Sequence, residues 1–515
     1  MLATSLTAAV LGIDAHLVRV EADAAFGFPR FAMVGLPDSA VKESESRVRS
    51  ALRNCGIEFK WDRRITVNLA PAGLRKFGSS YDLAVAVGLL AADGAIAPLR
   101  LAGLMLVGEL ALDGGLRAVE GVLPMLLLAR RAGLAAVVVP AGNAAEAALV
   151  PDLAVYPVRS LPEALALAGA EALPPRPPLA TAATASPAPP DLAEVRGQLL
   201  ARRALEIAAA GGHNVLLVGP PGSGKTMLAR RLPGLLPPPT LEEAVETAAI
   251  HSAAGLPADP LLGQRPFRSP HHTTSDVGLV GGGSRPRPGE VSLAHNGILF
   301  LDELPEFGRA PLEALRQPLE EGFVTVSRNR GTLRMPARFQ LVAAMNPCPC
   351  GRRGTPAGCR CPAHHVRGYL GRLSGPLLDR IDLHVPVCAV GYDEVCGSPG
   401  EPTRAVAARV AAARGRQEAR AADTGSPLNA RLPPPAVRRV ARPGAPSERL
   451  LRHAMEKAGL TARGLDRLLR VARTIADLSD REDLRPEDVA EALQFRRCMD
   501  DTATPLPLQA VGEGC

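Results

Sequence analysis

Aromatic residues are scarce in this chain, with one Trp, four Tyr and eleven Phe among 515 residues. A core built on aromatic stacking is excluded, and the 47% of hydrophobic residues must pack chiefly as Ala, Leu and Val. No run of about 18 apolar residues is free of charge, so no membrane-spanning helix is expected. The most apolar stretch, 121–140, is interrupted by Arg130 and Arg131. The opening Met1-Leu2-Ala3-Thr4-Ser5 lacks the basic group of a secretory signal, which points to a cytoplasmic protein. A strong charge imbalance is missing too. The net charge is +7 and the pI near 9.1, a modest excess that suits a nucleic-acid partner without requiring one. Gly (50) and Pro (49) are abundant and imply many turns. Cysteine is present in odd number, nine, and four cluster between Cys348 and Cys361. In a reducing compartment such clustering favours a metal over disulfides.

One stretch organises the chain. Gly219-Pro220-Pro221-Gly222-Ser223-Gly224-Lys225-Thr226 fits G-x-x-x-x-G-K-[ST], the phosphate-binding loop (P-loop). Residues 214–218 before it read as a buried strand and 227–232 after it as a helix. In that context the glycines let backbone N–H groups close on a phosphate, and the helix start adds partial positive charge. Lys225 is placed to reach the β- and γ-phosphates of ATP, and the Thr226 hydroxyl to ligate Mg2+.

The second half of a nucleotide site is Ile298-Leu299-Phe300-Leu301-Asp302-Glu303. Four apolar residues read as a strand buried on both faces, ending in two carboxylates, a Walker B pattern. Asp302 is expected to hold Mg2+ and Glu303 to orient the attacking water. The next apolar strand, 340–345, ends at Asn346, the candidate for sensing the γ-phosphate (sensor 1). Cys348-Pro349-Cys350 and Cys359-Arg360-Cys361 form two C-x-C pairs, enough thiolates to surround a tetrahedral Zn2+. His364 or His365 is an alternative fourth ligand.

Residues 1–171 show α/β patterning without a phosphate loop: strand-like 64–69, 104–112 and 136–139, and helix-like 83–92 and 121–133. Residues 172–190, rich in Pro, Ala, Ser and Thr, read as a semi-rigid linker. The ATPase core is expected over 191–396, a helical lid over 397–502 and a tail over 503–515. An amphipathic helix over 460–476 lies in the lid, with Leu465, Leu468, Leu469, Ala472 and Ile475 on one face and Arg467 and Arg470 expected to face solvent or a partner.

Two segments look like substrate-facing loops. Residues 267–283, with Arg268-Ser269-Pro270-His271-His272-Thr273-Thr274, form a long polar insert, and His271 and His272 read as loop residues. Residues 322–334 read as a hairpin with a basic tip at Asn329-Arg330-Gly331. Arg316, Arg328, Arg330, Arg334, Arg338, Arg352, Arg353, Arg360, Arg367 and Arg372 face only Glu313, Glu320, Glu321 and Asp379 in the same stretch, an excess suited to phosphates.

The segments 67–72 and 78–83, with Gly108-Glu109-Leu110 and Val139-Pro140, resemble the Lon-protease-like domain of magnesium-chelatase-like AAA+ proteins. A Lon-type protease needs a serine activated by a lysine. Ser80 falls near the nucleophile position, but residues 121–127 contain no lysine, so a protease fold without protease activity is expected, with Ser79 and Ser80 as turn or cap residues. Ser374-Gly375-Pro376-Leu377-Leu378-Asp379-Arg380-Ile381-Asp382 resembles a segment of the helix-2-insert branch of AAA+ proteins. By that resemblance Arg380 is an arginine finger reaching the ATP of an adjacent subunit, and Arg463 matches the sensor 2 arginine of the lid. A surface arginine paired with Asp379 or Asp382 is the plainer alternative for Arg380. With the Arg-Ser-Pro-His-His-Thr-Thr insert and Asn346-Pro347-Cys348-Pro349-Cys350-Gly351, the whole chain resembles the ComM/YifB family of magnesium-chelatase-like AAA+ proteins. The resemblance implies a bacterial cytoplasmic, hexameric ATPase that promotes DNA branch migration during natural transformation. A chelatase-type motor subunit remodelling a protein partner is the alternative, and an ATP-dependent protease a third.

Overall fold

The computed structural model describes residues 1–178, 188–257, 263–283, 285–328, 331–356, 358–458 and 460–496. The chain divides into two compact units. The first holds 1–185, 241–262 and 282–288, and the second the remainder, so the chain passes between units at five points rather than only at the Pro-rich segment.

The first unit is built on a seven-stranded mixed sheet. Two long antiparallel strands, Leu2–Leu11 and Asp14–Ala25, are joined by a two-residue turn in which Gly12 takes φ 68°. Alternation sets their inner face, with Val18, Val20, Ala22 and Ala24 buried between more exposed neighbours. Arg64–Ala70 adds antiparallel to the second strand, and Arg30–Val34 lies at that edge. On the other side Leu104–Leu106, Ala136–Pro140 and Ala154–Val158 follow in parallel. The strand expected over 104–112 stops at Leu106. Val107 pairs with Val138, and Glu109–Leu110 turns away into a small hairpin with Leu116–Arg117.

The helix Asp82–Asp93 is apolar all round and almost wholly buried. It ends at Gly94, whose φ of 93° an L side chain would resist. Ser79 accepts from the Asp82 amide, as a turn residue does, and its hydroxyl bonds Glu109. Lys76 is wholly buried, its ammonium donating to the carbonyls of Gly35, Leu69 and Pro71. No hydrogen bond joins it to Ser80 among the described residues. The helix Leu241–Ala253, encoded after the phosphate loop, belongs to this unit. Ser252 accepts from the Gly121 amide at 2.9 Å, and Ala248 joins the core around the helix Val122–Arg131.

The second unit centres on a five-stranded parallel sheet in the order Phe267–Arg268, Ile298–Leu301, Gln340–Met345, Val215–Val218, Leu383–Pro386. Its three inner strands are apolar runs because helices cover both faces. Register sets which loops leave the sheet together. Val218 lies opposite Met345 and Leu301 opposite Ala343, so the residues after these three strands emerge side by side. The hairpin Phe323–Arg328/Gly331–Pro336 forms as expected, and its tip residues Asn329 and Arg330 lie outside the described residues. In the C-terminal helical region, the helix Ala462–Leu478 is capped by the Thr461 hydroxyl and turns Leu468, Leu469, Ala472 and Ile475 inward.

Candidate active site

Lys225, Thr226, Asp302, Glu303 and Asn346 meet at the carboxyl edge of the parallel sheet. The Lys225 ammonium donates to the carbonyls of Gly219 and Pro220, each at 2.8 Å, and to Asn346 Oδ1 at 3.3 Å. Burial lowers the Lys225 pKa, and the charges of Asp302 and Glu303 oppose that shift. The Thr226 hydroxyl donates to Asp302 Oδ2 at 2.7 Å, so two hard oxygen ligands face each other where a divalent ion would bridge them. Gly222 and Gly224 take φ of 77° and 89°, the left-handed conformations that fold the loop back on itself. Gly219 donates to the Met345 carbonyl, tying the loop to the strand Gln340–Met345.

Two partners in this site, Gln198 and His272, are additional to the residues that the sequence motifs pick out. Gln198, left-handed at φ 51°, donates from Nε2 to the carbonyls of Ser223 and Cys388, bracing the loop from the start of the helix Leu199–Gly211. Glu303 also sits at positive φ, 53°. His272, a loop residue as its sequence context indicates, also places Nδ1 3.4 Å from Glu303 Oε2.

Arg380 and Arg463 stand apart. Neither has a hydrogen bond or ion pair to Lys225, Thr226, Asp302, Glu303 or Asn346 among the described residues. Arg380 pairs with Glu320, not Asp379 or Asp382, and donates to the Pro376 carbonyl at 2.6 Å. The Arg380 hydrogen bond and the charges of Arg380, Arg463 and Arg467 all lower the Glu320 pKa, so both sequence-selected arginines bear on one carboxylate. Arg467 and Arg470 do not simply face solvent. Arg467 donates to buried Asp382 at 3.0 Å, and Arg470 is half-buried because the amphipathic helix turns that flank toward the sheet.

The four cysteines converge. Sγ of Cys348 lies 3.4 Å from Cys350 and 3.5 Å from Cys359, and Cys350 lies 3.6 Å from Cys359. With Cys361 all four sulfurs fall within 4.8 Å of one another. Tetrahedral zinc–thiolate bonds of about 2.3 Å require sulfur spacings of about 3.8 Å, so the set fits that ion. The Arg352 amide and the thiols of Cys361 and Cys348 bring Cys350 down to about 6, while burial raises Cys348.

Comparison with known proteins closes the argument. A family profile described as magnesium chelatase, subunit ChlI, matches residues 191–395, its C-terminal counterpart 400–496, and a third, subunit ChlI of Mg-chelatase, 20–143. The chain is 45% identical over 494 residues to the uncharacterized protein YifB of Escherichia coli, covering 95% of this chain and 96% of that one. It is 44% identical over 506 residues to competence protein ComM of Haemophilus influenzae, covering 96% and 97%. The chain belongs to the ComM/YifB family. It is thereby a magnesium-chelatase-like AAA+ motor protein. A shorter match, 31% over 144 residues, or 26% of each chain, joins it to Lon protease 2 of Bacillus subtilis, in keeping with a Lon-protease-like α/β unit. Among the described residues no helix is long and apolar enough to cross a membrane.

Proposed function

We propose that this ComM/YifB member hydrolyses ATP and uses that energy as a homo-oligomeric ring, a hexamer, to move DNA, as in branch migration. The observation that carries the reading is the convergence of Lys225, Thr226, Asp302, Glu303 and Asn346 on one sheet edge. Lys225, already turned toward the loop and Asn346, draws in the β- and γ-phosphates. Glu303 orients the attacking water, and Asn346 positions it against the γ-phosphate. Mg2+ would be held by Thr226 and Asp302 and would neutralise phosphate charge there. Arg380, which pairs with Glu320 rather than with any residue of its own phosphate loop, would reach the ATP of a neighbouring subunit as an arginine finger, and Arg463 would serve as the sensor 2 arginine of the lid. Zinc would be held by Cys348, Cys350, Cys359 and Cys361 as a structural ion. The Lon-like unit would be non-proteolytic, because residues 121–127 supply no lysine to activate Ser80, and the buried Lys76 donates to three carbonyls instead.

DNA is the partner that fits the exposed arginines. Arg352, Arg360 and Arg367 lie on or beside the cysteine loop and carry no ion pair among the described residues. The printed name of the ComM relative, a competence protein, agrees with DNA as substrate. The magnesium-chelatase profiles favour a second reading, a motor that remodels a protein partner.

The deciding experiment is ATP turnover with and without forked and four-way DNA. DNA-stimulated turnover lost in Lys225→Ala and Glu303→Gln, by about a hundredfold or more, is expected. A wild-type oligomer that hydrolyses ATP but neither binds nor unwinds branched DNA at low salt favours the protein-remodelling reading.

A further inference from the structure

The segment that carries the four cysteines leaves the active site and returns to it. It starts directly after Asn346 and runs into the helix Ala363–Leu370, whose Tyr369 lies buried in the same core as Met345. Burial pushes the Tyr369 hydroxyl up to about 12, and the hydrogen-bonding backbone amide of Asn346 works against that rise. Midway, the loop touches the phosphate loop. Gly351 takes φ 74°, and a Cβ there would lie 2.4 Å from Pro221 Cδ and 2.7 Å from Cγ, so its backbone packs directly on the Pro221 ring. Among the described residues, 346–362 contain no helix or strand, only turns such as Gly351 N–H to the Cys348 carbonyl at 2.9 Å. Among the described residues, the backbone bonds of this excursion are local turns that span three residues, such as Thr355 N–H to the Arg352 carbonyl at 3.1 Å. The cluster of four sulfurs ties its two halves together, with Cys348 two residues from Asn346 and Cys350 adjacent to Gly351.

We propose that the four-cysteine loop is a metal-held positioning element of the nucleotide site. Zinc on its thiolates fixes the phosphate loop through Gly351 on Pro221, and fixes Asn346 through Cys348 and Tyr369. This deepens the zinc reading above and rests on it. Metal–thiolate binding energy becomes local folding energy in a segment with no other scaffold. Both contacts end on groups that hold phosphate, so the ordering of the loop reads out as nucleotide affinity and turnover.

The test uses the full-length chain. Zinc is measured by elemental analysis, ADP affinity by titration of a fluorescent ADP analogue, and turnover by phosphate release. Stoichiometric zinc is expected. Stripping it with a chelator, followed by return of Mg2+, should weaken ADP affinity about tenfold or more, and zinc readdition should restore it. Gly351→Ala should keep its zinc and still lose ADP affinity, since the new Cβ must displace Pro221. Tyr369→Phe should keep zinc and ADP affinity but lower kcat, a split that general destabilisation does not produce. Zinc that can be removed with no change in ADP affinity or kcat, or a Gly351→Ala chain that binds ADP normally, overturns the clamp while leaving the zinc site standing. Protein that purifies folded and active without zinc overturns both. Should Cys350→Ser fail to fold, the stripped wild type and Gly351→Ala still decide.

Discussion

At the residue scale, Glu303 shows what a motif hides. Its role candidacy was legible because a strand ending in two acids after a phosphate loop has few other uses. Its backbone and its partner were not. A non-glycine residue at φ 53° is a strained conformation, costing about 1–3 kcal/mol, and here it aims the carboxylate toward His272. His272 lies 31 positions upstream, in an insert whose composition says only loop, and the pairing depends on how Phe267–Arg268 adds to the sheet beside Ile298–Leu301. Gln198 escaped for the same reason, its partners being carbonyls at Ser223 and Cys388 that no spacing rule connects. The contact makes a prediction. Without His272 the Glu303 side chain is freed from its aim, so His272→Ala should lower kcat for ATP about tenfold with KM little changed. His272→Gln, which can still donate a hydrogen bond, should recover much of the loss. Steady-state kinetics check this, and a change confined to KM would contradict the positioning role.

At the element scale, a buried network joins the central sheet to the lid. Asp382, at the start of the strand Leu383–Pro386, accepts from Arg467 at 3.0 Å and lies 3.3 Å from His213 Nδ1. His213 Nε2 meets Thr474 Oγ1 at 2.8 Å on the same lid helix as Arg467. The strands and the amphipathic helix were legible from periodicity, but their docking was not. Periodicity sorts residues into faces and cannot tell that an arginine on the polar flank will find a buried acid. Burial alone would raise the Asp382 pKa, yet the hydrogen bond and charge of His213 and the charges of Arg467 and Arg496 hold it well below its ordinary 3.8. A carboxylate whose folded value is depressed stabilises the fold fully above the unfolded value and loses that contribution as pH falls. Asp382 therefore adds acid sensitivity below about pH 4. Asp382→Ala leaves His213 buried and Arg467 half-buried without their acid, and should cost about 3–5 kcal/mol at neutral pH in denaturant unfolding. The wild type should lose stability more steeply than the variant between about pH 4 and 2. A variant with unchanged midpoint and the same acid profile would remove the network from the lid's support.

At the scale of the whole molecule, two features of the chain were only half legible. The proline-rich segment was read as the boundary, but residues 241–262 and 282–288 return to the first unit, because Ala248 and Ser252 find partners more than a hundred positions earlier. The basic excess likewise counted charges without their pairings. Arg316, Arg372 and Arg380 are neutralised by Glu313, Glu306 and Glu320, and Arg334 lies over the Phe323 ring. Arg352, Arg360 and Arg367, on and beside the cysteine loop, are exposed and carry no ion pair among the described residues, which suits them to meet phosphates. If DNA is the partner, each phosphate they neutralise releases counterions, so replacing all three by alanine should weaken binding irrespective of sequence. It should also flatten the dependence of log K on log salt, by about 0.7 per lost contact on single strands and about 0.9 on duplex. Fluorescence anisotropy between about 50 and 200 mM salt measures that slope. ATP turnover in the absence of DNA should be unaffected, since none of the three touches Lys225, Glu303 or Asn346. An unchanged slope moves the DNA contact to another surface. A smaller slope with an intact basal rate places it on the loop that the cysteines hold against the phosphate site, where a strand's passage and the state of the nucleotide can be felt by the same few residues.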